Sequence, residues 1–227
     1  MRSPWLDIPL SDYEGHMALP EVGQASLLAD VFEAMLREYR PRSVAVLGCA
    51  GGNGFERIPA ATARVVGVDL NPEYVAALAE RFQGRIPGLE AIAGDLQSDA
   101  VSFAPVDLAF AGLLFEYVDV EPVLRRIRRL LTAGGVLGVV VQLPSGASAP
   151  VTPTPFASLG ALSSSMHLVP PERLDELARA AGYRAIARRR VTSAGRKEFE
   201  VQAFRSGGGG TTLGATGELD AASPIST

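Results

Sequence analysis

Short runs of β-branched and aliphatic residues alternate with helically spaced stretches along most of this chain, and that alternation constrains the fold more than any other feature. The runs at 43–48 (SVAVLG), 64–69 (RVVGVD), 89–95 (LEAIAGD), 106–112 (VDLAFAG) and 135–143 (GVLGVVVQL) carry no polar alternation. Strands of that kind belong to a parallel sheet covered on both faces. Helical spacing fills the gaps at 55–61, at 73–82, briefly after Leu96, and at 121–131. In the last of these, Val123, Leu124, Ile127, Leu130 and Leu131 form an apolar stripe, while Arg125, Arg126, Arg128 and Arg129 face away as a solvated surface. Pro122 falls in the first turn, where its missing N–H costs nothing.

Strand–helix alternation predicts right-handed βαβ units and an open doubly wound sheet. Upstream, 21–40 carries apolar residues at helical spacing and stops before Pro41. Downstream, 144–165 is a Pro/Ser/Ala-rich connection too long for a turn, and 170–181 reads as a helix ended by Gly182. Two last strands, 184–192 and 198–204, are joined by 193–197 with Gly195, a hairpin spacing that ends the sheet antiparallel. Arg188 to Arg190 read as protection of an edge strand. The expected fold is α/β: a doubly wound, mostly parallel seven-stranded sheet with an antiparallel last strand. It occupies 21–205, after an N-terminal segment 1–20. From Ser206 the sequence reads SGGGGTTLGATGELDAASPIST, too poor in bulky apolar residues to order itself, so 206–227 is expected to be disordered.

Composition excludes several classes. There are 21 Lys+Arg against 25 Asp+Glu, a net charge of −4, which disfavours a nucleic-acid substrate. One cysteine forbids an internal disulfide, and two histidines argue against a His/Cys metal centre. No apolar run is long enough to span a bilayer and no secretory signal is evident, so a cytoplasmic location is expected. The oligomeric state is left open.

The first strand runs into VAVLGCAGGNGFE, a glycine-rich turn before a helix start, where backbone can approach a ligand closely. The nicotinamide fingerprint fails because position 50 is Ala50, and no Gly-Lys pair exists to make a phosphate loop. Asp69 ends the second strand, placed to accept from both ribose hydroxyls of an adenosine cofactor, and Asp95 ends the third, placed to meet an adenine amino group.

Taken in order, LGCAGGNG, GVDLNPEYV, AGDL, VDLAFAGLLFEYVD and LRRIRRLLTAGGVLGVV resemble a class I S-adenosylmethionine-dependent methyltransferase of the Rossmann-like, small-molecule type. The resemblance runs in order from about Val44 to Leu143, the closing helix and hairpin match the family's antiparallel seventh strand, and together they cover most of the chain expected to be ordered. It implies S-adenosylmethionine as cofactor, with Gly48, Cys49, Ala50, Gly51 and Gly52 at its methionine end. It places Asp69 and Leu70 at ribose, Asp95 and Leu96 at adenine, and Gly112, within 111–113, along the methionine and acceptor side. The family's acidic residue two positions before the first loop glycine is Val46 here, so the methionine amino group needs another anchor, a loop carbonyl or an N-terminal residue. Asn71-Pro72-Glu73-Tyr74 follows strand two and is read only as a turn that starts a helix.

By the same resemblance the N-terminal segment closes over the site, with Tyr13 or His16 lining it. His16, Glu116 and His167 are the candidate catalytic groups, and Tyr117 a candidate acceptor-facing one. Cys49 is read as a packed residue, since no histidine lies near it in sequence. The expected reaction is methyl transfer to a small-molecule acceptor. Two alternatives stay open: an adenosine-cofactor enzyme of aminopropyltransferase type, for which the strand-four exit offers only Glu116 and Asp119, and a non-catalytic cofactor-binding protein on the same scaffold.

Overall fold

The computed structural model describes residues 3–144 and 151–207. Positions 208–227 of the predicted tail lie outside the described residues. Ser206, read above as its first residue, instead closes the last strand and donates its hydroxyl to Thr132 O at 2.9 Å.

Seven strands form one sheet: β1 (Ser43–Leu47), β2 (Arg64–Asp69), β3 (Leu89–Ala93), β4 (Val106–Gly112), β5 (Leu131–Gln142), β6 (Tyr183–Thr192) and β7 (Glu198–Ser206). Their order is β3-β2-β1-β4-β5-β7-β6. The first five pair in parallel, and β7 inserts antiparallel between β5 and β6. Strand order reverses at β1, between β2 and β4. In a doubly wound sheet this is where the connections leave toward opposite faces and open a crevice at the carboxyl ends of the strands.

Five helices pack around the sheet: α1 (Leu10–Ala18), α2 (Gln24–Tyr39), α3 (Pro72–Phe82), α4 (Val120–Arg129) and α5 (Pro171–Ala180). The two-residue period of a strand sorts its side chains between the layers. Val44 and Val46 join Leu28, Phe32, Met35 and Leu78 of α2 and α3 on one face, while Ala45 and Leu47 join Val123, Leu124, Ile127 and Leu174 of α4 and α5 on the other. Full burial of a side chain of this size contributes roughly 1.5–3 kcal/mol, which is why the central strands need no polar alternation.

Several expectations are corrected. The helix read at 55–61 is a single 3-10 turn, Phe55–Arg57, because Gly54 enters it at φ +84° and Pro59 closes it. No helix follows Leu96; the segment is a turn in which Asp95 Oδ1 accepts from Gln97 N at 2.8 Å. Leu131 begins β5 instead of ending α4. β3 is a half-exposed edge strand and not one covered on both faces. At the opposite edge β6 is largely exposed, and Arg188 there bonds Glu172 at 2.9 Å and also the buried carboxylate of Glu200. α1 escaped the sequence reading, since LSDYEGHMA carries little apolar periodicity and a glycine in its middle.

Candidate active site

The reversal at β1 builds a cavity of about 300 Å³ over the carboxyl ends of β1, β2, β3, β4 and β5. That volume falls in the range typical of small-ligand sites, roughly 300–1,000 Å³. Its floor is the glycine-rich turn. Gly48 sits at φ +72°, and its N–H and that of Cys49 both donate to Val68 O, at 2.8 and 3.0 Å. Ala50 takes the left-handed region at φ +45°, a conformation that strains a side-chain-bearing residue. What holds it there is its N–H, which donates to Asp69 Oδ2 at 2.8 Å. Asp69 Oδ1 accepts from Asn71 N at 2.9 Å. Burial pushes the Asp69 carboxyl above its ordinary range, against the opposing pull of the Asn71, Ala50 and Leu70 N–H groups. Each oxygen retains a lone pair for a ligand hydroxyl.

Of the residues singled out in the sequence, Tyr13, His16, Gly48, Ala50, Asp69, Leu70, Asp95, Leu96 and Gly112 come together on this cavity. Cys49, Gly51 and Gly52 do not line it. Cys49 is buried in the α2–α3 layer, and burial with the nearby Asp69 charge pushes its thiol pKa well up, which fits a packing residue. Gly51 O accepts from Arg81 Nη1 at 3.0 Å, and Arg81 also pairs with Glu14, so the turn is tied to α1 and α3 together. A Cβ on Gly52, at φ +94°, would strike Leu78 and Phe82.

Glu116 and His167 also lie off the cavity. Glu116 is fully buried behind the wall: Oε1 accepts from Gln142 N at 2.7 Å, its carbonyl accepts from His167 N at 2.9 Å, and Oε2 has no hydrogen-bond partner. Desolvation raises its carboxyl to about 7. His167 is exposed, with Nδ1 2.9 Å from Ser165 O. Tyr117 does line the cavity.

Residues of the N-terminal segment, Trp5, Leu6 and Tyr13 among them, line the cavity together with Val151, Leu159 and Leu162 from the connection before α5, and form its roof. Trp5 O accepts from Asn71 Nδ2 and Ile8 O from Tyr74 Oη, both at 2.9 Å. The Trp5 ring stands edge-on to Tyr13 and Tyr117, with centroids 5.5 and 5.0 Å away. Asn71 meanwhile caps α3 by accepting from Glu73 N at 2.9 Å, which is the turn role read for NPEY.

Sequence reasoning missed Gln24. It is the first residue of α2, 7% exposed, and lines the cavity with no hydrogen-bond partner for its amide among the described residues. Leu28, one turn further on, reaches over Gly112, so Gln24 stands beside the exit of β4. The preceding residue, Gly23, offers no side-chain cap, and the α2 N-terminus keeps its donors. His16 also lines the cavity with a buried Nδ1 that lacks a partner. Burial and the Lys197 charge lower its pKa, so the ring is neutral near pH 7. Among the described residues no helix is long and apolar enough to cross a membrane, and no group of His, Cys, Asp and Glu is arranged to hold a metal.

A strand-end acid on β2, a second after β3 and a glycine-rich turn at the switch point form the constellation that holds an adenosine-bearing cofactor in such sheets. The family described as the methyltransferase domain matches residues 45–139. Fold, site and this match are similar to those of the class I S-adenosylmethionine-dependent methyltransferases, a class whose cofactor is S-adenosylmethionine. The fold is shared with N-methyltransferase NodS from Bradyrhizobium japonicum WM9, in complex with S-adenosylhomocysteine, at 15% identity and TM-score 0.61, over 81% of this chain and 87% of that one. It is shared equally with magnesium protoporphyrin IX methyltransferase from Synechocystis PCC 6803 with bound S-adenosylhomocysteine, at 12% identity and TM-score 0.62, over 82% and 84%. The [4+2]-cyclase SpnF is similar as well, at 17% identity and TM-score 0.62, over 80% and 82%. No curated protein sequence matches this chain.

Proposed function

We propose that this protein transfers the methyl group of S-adenosylmethionine to a small-molecule acceptor enclosed beneath the N-terminal segment. The observation that carries this reading is the convergence of Asp69, Asp95, Gly48 and Gln24 on one roofed cavity. The cofactor, when bound, supplies an electrophilic methyl on a sulfonium.

Asp69 receives the ribose hydroxyls, and Asp95 with the Leu96 backbone receives the adenine edge. Asp95 suits that role because Oδ1 is engaged in its own turn while Oδ2 has no partner among the described residues. Val46 is packed between the sheet and α2, so it gives the amino-acid end nothing polar. Gln24 takes over there: its amide oxygen accepts from the ammonium, and its N–H₂ with the uncapped start of α2 donates to the carboxylate. Tyr13 and Trp5 exclude water. His16, neutral and on the cavity lining, takes the proton of a heteroatom acceptor.

The aminopropyltransferase alternative finds little support. Its polyamine needs an acidic pocket, yet Glu116 turns away from the cavity and Asp119 starts α4; the lining acids are the two given to the nucleoside. The non-catalytic alternative is separated by turnover. Calorimetric titration with S-adenosylmethionine and S-adenosylhomocysteine is expected to show micromolar binding by the intact protein. Asp69→Ala, which removes two hydrogen bonds to a buried site, is expected to weaken it by about 100-fold or more. Unchanged affinity in that variant would refute the site assignment. Release of S-adenosylhomocysteine with an accepted acceptor distinguishes the enzyme from a binding protein.

A further inference from the structure

The chain is abruptly free of charge where it covers the site. Between Arg129 and Glu172 the sequence contains no Asp, Glu, Lys or Arg, and this stretch comprises β5 and the whole connection to α5. Elsewhere charge is frequent, at 20% of residues. Solvent-facing connections ordinarily carry it, so its loss over so long a segment points to a surface that faces something apolar.

The structure shows what that surface is. Val151, Leu159 and Leu162 from this connection meet Trp5, Tyr13 and Tyr117 in one cluster, and all six line the cavity. Packing of the roof against itself accounts for part of this apolarity. It does not account for the sides of these residues that are turned to the open space. Apart from tyrosines, the ionisable groups lining the cavity among the described residues are Asp69, Asp95 and His16. Asp69 ends β2 and Asp95 follows β3, on the proposed nucleoside side. Over the ends of β4 and β5 the lining polar groups are uncharged. A charged acceptor there would be buried without a counter-ion, which is strongly unfavourable.

Two residues of the same lining each bury a polar atom that has no hydrogen-bond partner, His16 Nδ1 and Thr152 Oγ1. Unmet polar atoms in the wall of an apolar cavity mark where a ligand's own polar group can be met once the wall adjusts. We propose that the acceptor is a neutral, predominantly apolar molecule of ring size, held under the Trp5–Tyr117–Leu162 roof and presenting one hydrogen-bonding group to His16 and Thr152. This rests on the methyltransferase reading above and names the acceptor class for it.

The test uses three probes of one skeleton: 2-naphthol, 2-naphthoate and 2-naphthylmethylammonium. Their binding to the full chain saturated with S-adenosylhomocysteine is measured by equilibrium dialysis at pH 7. 2-Naphthol is expected to bind at least about 10-fold more tightly than either charged probe. Thr152→Lys, which adds an ammonium at the roof, is expected to reverse the order in favour of 2-naphthoate; retained S-adenosylhomocysteine binding shows that this variant is folded. Leu162→Lys is the second variant, with the same expected reversal. Equal binding of the three probes, preference of the intact protein for a charged one, or no binding of any of them while S-adenosylhomocysteine binds would each overturn the proposal. Failure of S-adenosylhomocysteine itself to bind would instead overturn the cofactor reading on which it rests.

Discussion

At the scale of single residues, the buried groups that lack partners are the most informative. Glu116 is fully buried, has one oxygen on the Gln142 N–H and leaves the other unpartnered, and desolvation raises its carboxyl to about 7. Because the folded protein holds this proton more tightly than the unfolded chain does, stability falls as pH rises from about 4.5 to about 7 and levels off above. At about 1.4 kcal/mol per unit, the loss is on the order of 3 kcal/mol. Glu116→Gln removes the titration while keeping an oxygen for Gln142. Thermal unfolding across pH is expected to show the variant close to wild type at pH 5 and more stable at pH 8. Parallel curves for the two proteins would show that Glu116 does not titrate in this window. The places of the strand-end acids were legible from position alone, because β2 and β3 bring their last residue and those just after it to the crevice. Glu116 was not. It follows β4 in the stretch where acceptor-facing residues were expected, and only the packing of β5 and the 167 backbone against it turns it inward.

Elements were legible where one periodicity dominated. The five parallel strands and α2, α3, α4 and α5 appear within a few residues of their expected positions because their burial is one-sided or complete. α1 was missed for the opposite reason: it buries only His16 and Met17, and its place is set by contacts distant in sequence. Those contacts include Tyr74 Oη to Ile8 O, Asn71 Nδ2 to Trp5 O, Arg81 to Glu14 and Ser158 Oγ to Asp12, with the rings of Trp5, Tyr13 and Tyr117. Held by side-chain contacts and not by ladder hydrogen bonds, the roof has less to lose on opening than any strand. Tyr74→Phe deletes one buried bond and leaves Ile8 O unmatched, a cost of about 1–3 kcal/mol borne by the roof. Hydrogen exchange is expected to quicken over 8–18 and stay unchanged in β1 and β4, with cofactor affinity weakened about 10-fold. Uniform acceleration across the sheet would mean that roof and sheet open as one unit.

At the scale of the molecule, the strand order β3-β2-β1-β4-β5-β7-β6 decides how the site is shared. Asp69 ends β2 and Asp95 follows β3, to one side of β1; Gly112, Gln24 and His16 stand by β4 and the helices over it. On the proposed reading an intact cofactor bridges both halves of the sheet, while its nucleoside alone engages one. S-Adenosylhomocysteine at 100 times its dissociation constant is expected to stabilise the fold by about 2.7 kcal/mol, which for a chain of this length raises Tm by about 5–10 °C. Adenosine at the same concentration reaches Asp69 and Asp95 but not Gln24, and is expected to raise Tm by clearly less. Gln24→Leu should bring the S-adenosylhomocysteine shift down toward that of adenosine, without lowering the Tm of the ligand-free protein, since the Gln24 amide makes no hydrogen bond within the described fold. Equal shifts for the two ligands would mean that the β4 side contributes nothing to cofactor binding. In that case the loss of an acid at Val46 would stand uncompensated, and the reading of α2 as the anchor of the amino-acid end would fall.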